Sequence, residues 1–227
     1  MLYFKKLVCI GLLAALTIGG LSACNTYVDS TKVKQDSASK KSENANKPAE
    51  ALTAYMNAGF YDKDIDKMSK LTGEDGKQFN EAMAEKVRKA VLYNYEGLSS
   101  ITEESVDNYF KNFKEAIRQK VKFETNVVHI NGEGKTAEVE IKSKPILVSS
   151  LRTKVEDEQK RILSEDPSIP YPELIKQLYN YSSSILLEAE ISSTEESLRI
   201  GMYNKGDDKW HIHGEDIKDL PRILWKP

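Results

Sequence analysis

Three histidines, two cysteines and a set of tyrosines are the residues of this 227-residue protein whose types and spacing could do chemistry. His129 stands near the end of an alternating segment, on the parity of Val127 and Phe123. An imidazole there can line a pocket as a general base, or sit satisfied at a sheet rim. Tyr93, Tyr95, Tyr109, Tyr179 and Tyr181 fall on segments with helical spacing. Tyr95 and Tyr109 join His129 as candidate pocket residues; aromatics at that spacing serve equally well as core or rim. His211 and His213 are two apart on one strand, so both project from one face, with Glu215 and Asp216 close behind. Such a pair holds a defined metal only if another element brings a third ligand. The expectation is that it binds none and faces solvent opposite Trp210 and Ile212. No Gly-rich phosphate loop, His-Glu-x-x-His run or Gly-x-Ser-x-Gly elbow occurs. No catalytic residue is assigned and no cofactor is expected.

The cysteines point elsewhere. Lys5 and Lys6 form a short basic region, and Leu7 to Gly20 is uncharged and mostly apolar. A run of 14 residues is shorter than the roughly 20 that a bilayer core of about 30 Å requires. It has the anatomy of a secretory signal. Leu21-Ser22-Ala23-Cys24 follows and resembles a bacterial lipobox: an aliphatic residue, two small ones, then the cysteine whose thiol accepts diacylglycerol. The resemblance implies a signal peptide over residues 1–23, cleavage after Ala23, and lipidation of Cys24. Cys9 lies in the discarded segment, so the mature protein would have no disulfide and no free thiol. Thiol catalysis and cysteine-based zinc sites are excluded on that reading. An exported domain without disulfides needs a core large enough to stand alone.

Charge bounds the partners. The protein has 33 basic and 35 acidic residues, net −2. No basic excess exists to neutralise phosphates, and nucleic acid is not an expected partner. Residues 24–47 read as the lipidated cysteine followed by a flexible linker: Ser, Lys, Asn and Asp dominate, too polar to offset conformational entropy by burial. As a coil it spans about 25–30 Å. The folded part is expected over 48–227.

Its first half reads as helices. Leu52, Tyr55, Met56 and Gly59 recur at helical spacing, and Ile65, Met68 and Leu71 mark a short helix ending near Gly73. Phe79, Met83, Val87 and Tyr95 stripe a long helix that Gly97 would stop. Thr102 with Glu103 and Glu104 has the form of an N-cap followed by acids in the first turn. Val106, Tyr109, Phe113 and Ile117 extend the next helix to about Lys120. The period then switches to two. Asn131-Gly132-Glu133-Gly134 is a hairpin signal, with Ala137, Val139 and Ile141 on one face of the return strand. Leu198, Ile200 and Met202, the turn Asn204–Asp208, then Trp210 and Ile212 make a second hairpin. The apolar tail, Leu220 to Trp225, is expected to pack on the domain. Between the hairpins, about 147–190, lies a helical insertion. Leu151, Val155 and Ile162 stripe its first helix beside a heavily charged face. Leu151, Lys154, Val155 and Arg161 are therefore a candidate partner face. The alternative is that the stripe packs over one end of the sheet.

This order of helices, two hairpins and a closing strand Lys209-Trp210-His211-Ile212 indicates an α+β domain with helices on an antiparallel sheet. It resembles NTF2-like domains, specifically those of lipoproteins of Gram-positive bacteria, over about 48–216. The resemblance implies an NTF2-like cone, N-terminal helices packed on a curved antiparallel sheet, with the insertion as a departure. That superfamily hosts enzymes, ligand binders and partner-binding modules, so fold alone does not choose. The sequence favours a non-catalytic binding or interaction protein of the cell envelope. It would be held at the extracytoplasmic face of the cell membrane through diacylglyceryl-Cys24 and would meet a protein partner there. The alternative is an NTF2-like small-molecule binder or enzyme using a conical pocket.

Overall fold

The computed structural model describes residues 46–92 and 100–226. Cys24, the linker up to residue 45, Tyr93, Tyr95 and Gly97 lie outside the described residues.

Helix α1 (Lys47–Met56) opens with Pro48, tolerated in a first turn that needs no amide donor. Ala51, Leu52, Ala54, Tyr55 and Met56 are all buried, so α1 is an inner helix. It runs into a π-turn, Asn57–Tyr61, that stops at Asp62 in the left-handed region. Helix α2 (Ile65–Thr72) ends at Gly73, whose φ of 73° suits a residue without Cβ. Asp75 caps α3 (Gly76–Leu92) by accepting from the amides of Lys77 and Gln78 at 2.9 and 3.1 Å. Gly76 is needed for close approach, because a Cβ there would sit 2.3 Å from the carbonyl oxygen of Ile65. Helix α4 (Glu103–Lys120) starts as its sequence implies: Thr102 Oγ1 accepts from the Ser105 amide at 3.2 Å.

Strands β1 (Phe123–Ile130), β2 (Thr136–Ser143), β5 (Glu196–Asn204) and β6 (Trp210–Ile212) form an antiparallel sheet in the order β1-β2-β5-β6. Ala137, Val139, Ile141, Ile200, Met202, Trp210 and Ile212 are buried against the helices. Glu138, Glu140, Lys142 and Arg199 alternate with them on the outer face, where Arg199 pairs with Glu138 and Lys142 with Glu140. A smaller sheet joins β3 (Ile146–Leu147) to β4 (Glu190–Ile191) and, in parallel, to β7 (Trp225–Lys226). Through β7 the tail does pack on the domain. Trp225 lies edge-on to Phe113 with ring centroids 4.8 Å apart, and Ser143 donates its hydroxyl to the Ile223 carbonyl.

Two expectations need correction. His129 does not share the face of Val127. A bulge between Val127 and His129 inserts one residue, so Val127 opposes Val139 while His129 opposes Glu138. Ile130 turns inward against the core; Val128 and His129 face solvent. The charged helix of the insertion, α5 (Arg152–Glu165), does not present its apolar stripe. Leu151 and Val155 are 1% and 0% exposed, inside the common core. Its neighbour α6 (Tyr171–Ser184) packs along α4, with Asn112 donating to the carbonyl and hydroxyl oxygens of Ser183, both at 3.1 Å. The insertion is an outer wall of the helical layer, on which the core depends.

Candidate functional site

Two carboxylates bracket α2 and organise the polar chemistry. Asp62, at the end of the π-turn, has φ 51°, and Asp64 has φ 56°. Left-handed backbone costs a non-glycine residue about 1–2 kcal/mol, and local partners hold both in place. Asp62 accepts from Asn80 Nδ2 at 2.7 Å, from Lys114 and from Arg118, both on α4. Asn80 also donates to the Ala58 carbonyl within the π-turn. Asp64 accepts from Asn57 Nδ2 at 2.8 Å. Burial pulls the Lys114 ammonium below its ordinary pKa, and the same ammonium lies over the Phe110 ring. Beside this network an open groove of about 890 Å³ runs between α2 and α3. Its walls carry charges of both signs, Asp64, Asp66 and Glu81 with Lys67, Lys70 and Lys77. Interrupted helices of this kind are frequent at functional sites.

The second carboxylate is Glu74, just after α2. The Tyr55 hydroxyl donates to Glu74 Oε1 at 2.6 Å, and His211 Nδ1 lies 3.1 Å from the same oxygen. A carboxylate only accepts, so Nδ1 is the donor of this bond. Tyr55 is fully buried; burial first, then the Glu74 carboxylate, push its phenol well above the ordinary value. His211 stacks on Tyr203 at 5.2 Å, and His213 leans on the same ring at 4.9 Å. His211 is thus held rather than solvated, while His213 is exposed.

Helices and large sheet share an apolar, solvent-shielded interior. Leu52, Tyr55, Met56, Phe113 and Ile117 meet Val139, Ile141, Ile200, Met202 and Ile212, none more than 4% exposed. Tyr109 belongs to this packed interior, its ring 5.1 Å from that of Tyr179, and burial raises both phenols. His129, on the outer sheet face, is not brought together with it. Lys154 pairs with Glu188, and Arg161 with Glu158 and Glu165, all exterior contacts. Among the described residues no group of three or more His, Cys, Asp or Glu is arranged to hold a metal ion. None of their helices is long and apolar enough to cross a membrane. Sequence reasoning missed the groove. The alternating run Asp62-Lys63-Asp64-Ile65-Asp66 between two helices was the available signal.

A family model described as a domain of unknown function (DUF5105) matches residues 38–225, and the protein belongs to that family. Over 172 residues it is 26% identical to the uncharacterized lipoprotein YcdA of Bacillus subtilis (strain 168). That alignment takes in 75% of this protein and 48% of the relative, so the match spans about half of the relative's length. The crystal structure of a YcdA lipoprotein from Bacillus subtilis superposes with a TM-score of 0.71 at 23% identity, over 82% of this protein and 58% of that one. The fold is therefore shared.

Proposed function

We propose that this member of the DUF5105 family is a lipid-anchored, extracytoplasmic binding protein of the cell envelope, non-catalytic and built on an NTF2-like domain. The observation that supports the binding role is the contrast between an apolar, solvent-shielded interior and an open charged groove beside the π-turn. A conical-pocket enzyme would need an inward acid or base, and the inner sheet face is apolar throughout Ala137, Val139, Ile141, Ile200 and Met202. The anchor reading is supported by the Leu21-Ser22-Ala23-Cys24 pattern and by the relative's name as a lipoprotein. Residues 1–23 are the signal peptide, Cys24 bears diacylglycerol, and the residues from there to the start of α1 at Lys47 are the tether. Two acyl groups hold a protein stably, at about 0.8 kcal/mol per buried CH₂.

One experiment on native membranes tests both halves. A photo-crosslinking residue is placed at Lys67 or Lys77, with His129 as the control position, in cells fed a clickable fatty acid. The expected result is fatty-acid label on the protein, lost in Cys24→Ala, and adducts at the groove positions only. Equal labelling of the Cys24→Ala variant would overturn the anchor. Adducts as frequent at His129 as at the groove would overturn the binding surface.

A further inference from the structure

The β1–β2 turn contains the one Asn-Gly pair of the sequence, Asn131-Gly132. Asn-Gly is the dipeptide most prone to cyclise, because a following glycine leaves its own amide nitrogen open to approach. Here Gly132 is unencumbered: a Cβ added to it would meet nothing within 4 Å. Asn131, by contrast, is the most heavily bonded residue of the turn. Its Oδ1 accepts from the Lys135 amide at 2.8 Å and the Thr136 amide at 3.1 Å. Its own backbone amide donates to the Thr136 carbonyl at 2.9 Å, and its backbone carbonyl accepts from Gly134 at 2.8 Å.

From this geometry we infer that Asn131 is a latent deamidation site, shut in the folded hairpin and opened by local unfolding. The reaction is the attack of the Gly132 amide nitrogen, its proton lost to solvent base, on Asn131 Cγ. The new N–Cγ bond closes a succinimide as the bond from Cγ to Nδ2 breaks, and Nδ2 leaves as ammonia with a proton from water. Water then opens either ring carbonyl, leaving aspartate or isoaspartate; nothing is oxidised or reduced. To reach that geometry the Asn131 amide group must rotate off the turn and surrender both Oδ1 bonds. The clamp therefore withholds Cγ from Gly132 while leaving Gly132 exposed. The consequence reaches beyond the turn. The Lys135 carbonyl accepts from the Asn204 amide at 2.8 Å, so an isoaspartyl link, with its extra backbone carbon, loosens the β5–β6 end of the sheet as well.

The test incubates the full-length protein in mildly alkaline buffer, folded and in guanidinium chloride, and follows ammonia release and isoaspartate at Asn131 by peptide mapping. Loss of two hydrogen bonds sets the expected protection at about tenfold or more. Between the two extremes, the rate should rise with denaturant in step with hydrogen exchange of the Lys135 and Thr136 amides. The Lys135→Pro variant lacks one of the two donors and, where it folds, should deamidate several-fold faster than the parent. If it does not fold, the denaturant series on the parent protein decides. Equal rates folded and unfolded, a faster folded rate, or an unchanged rate in folded Lys135→Pro would each overturn the inference.

Discussion

Asp62 and Glu74 stand at opposite ends of α2 and are held by opposite means. Asp62 sits on a left-handed backbone and is gripped by two cations from α4 and by the Asn80 amide. Glu74 is gripped by two hydrogen-bonding groups, the Tyr55 hydroxyl and the His211 Nδ1. The first cluster lies beside the open groove; the second reaches down to a fully buried ring. Charge holds the Asp62 cluster and responds to salt. Hydrogen bonds and the packing of the Tyr55 ring hold the Glu74 cluster and respond to proton removal. The groove is thus bordered by the part of the molecule whose geometry solution conditions can adjust.

Alkali should produce the largest effect. Tyr55, Tyr61, Tyr109 and Tyr179 have phenols raised above the ordinary value, chiefly by burial. The folded state then keeps protons that the unfolded state releases. Their stabilisation is complete below about pH 10 and is lost as pH rises past it. Each such tyrosine steepens the loss by about 1.4 kcal/mol per pH unit. Urea midpoints measured across that range should fall steeply, and less steeply in Tyr55→Phe. A flat profile would break the distinction between the two clusters.

A smaller effect separates them by salt. Asp62→Asn should cost about 1–2 kcal/mol at low ionic strength and clearly less at about 1 M salt, where the Debye length is near 3 Å. Glu74→Gln should cost about 1 kcal/mol at either salt level. Paired denaturation curves test this; equal salt dependence in both variants would remove the contrast.

Smallest of all is a change at Asp208, the third left-handed aspartate, with φ 61° and one exposed partner, Lys47 at 3.4 Å. Asp208→Gly exchanges a weak ion pair for relief of backbone strain and should shift stability by no more than about 0.5 kcal/mol. Asp62→Gly should still destabilise, because it discards three partners. Equal melting temperatures for the two variants would mean that the Asp62 network contributes nothing beyond its backbone.

What the sequence made legible was local. Thr102 caps its helix, Gly73 ends α2, and Ala137-Val139-Ile141 faces inward, since each signal lies within a few residues of its effect. His129 escapes such reasoning because a single bulged residue inverts every parity beyond it. The stripe of Leu151, Val155 and Ile162 is apolar as its spacing implies, but periodicity does not say which neighbour covers it; the protein's own core does. Glu74 and His211 are 137 positions apart, and nothing in either local pattern announces the pairing. The groove is hidden for a related reason: the π-turn that shapes it continues an ordinary helical pattern without a sequence break.

The bulge at Val127–His129 bears on crowding. An open strand edge is a template on which a neighbour can add its own strand, more so where molecules are concentrated. Strand β1 is such an edge, lying at the end of the sheet order. Its extra residue breaks the regular spacing of donors and acceptors that a second strand would have to match. The irregularity that turns one histidine outward thus makes this edge a poor template for a second strand.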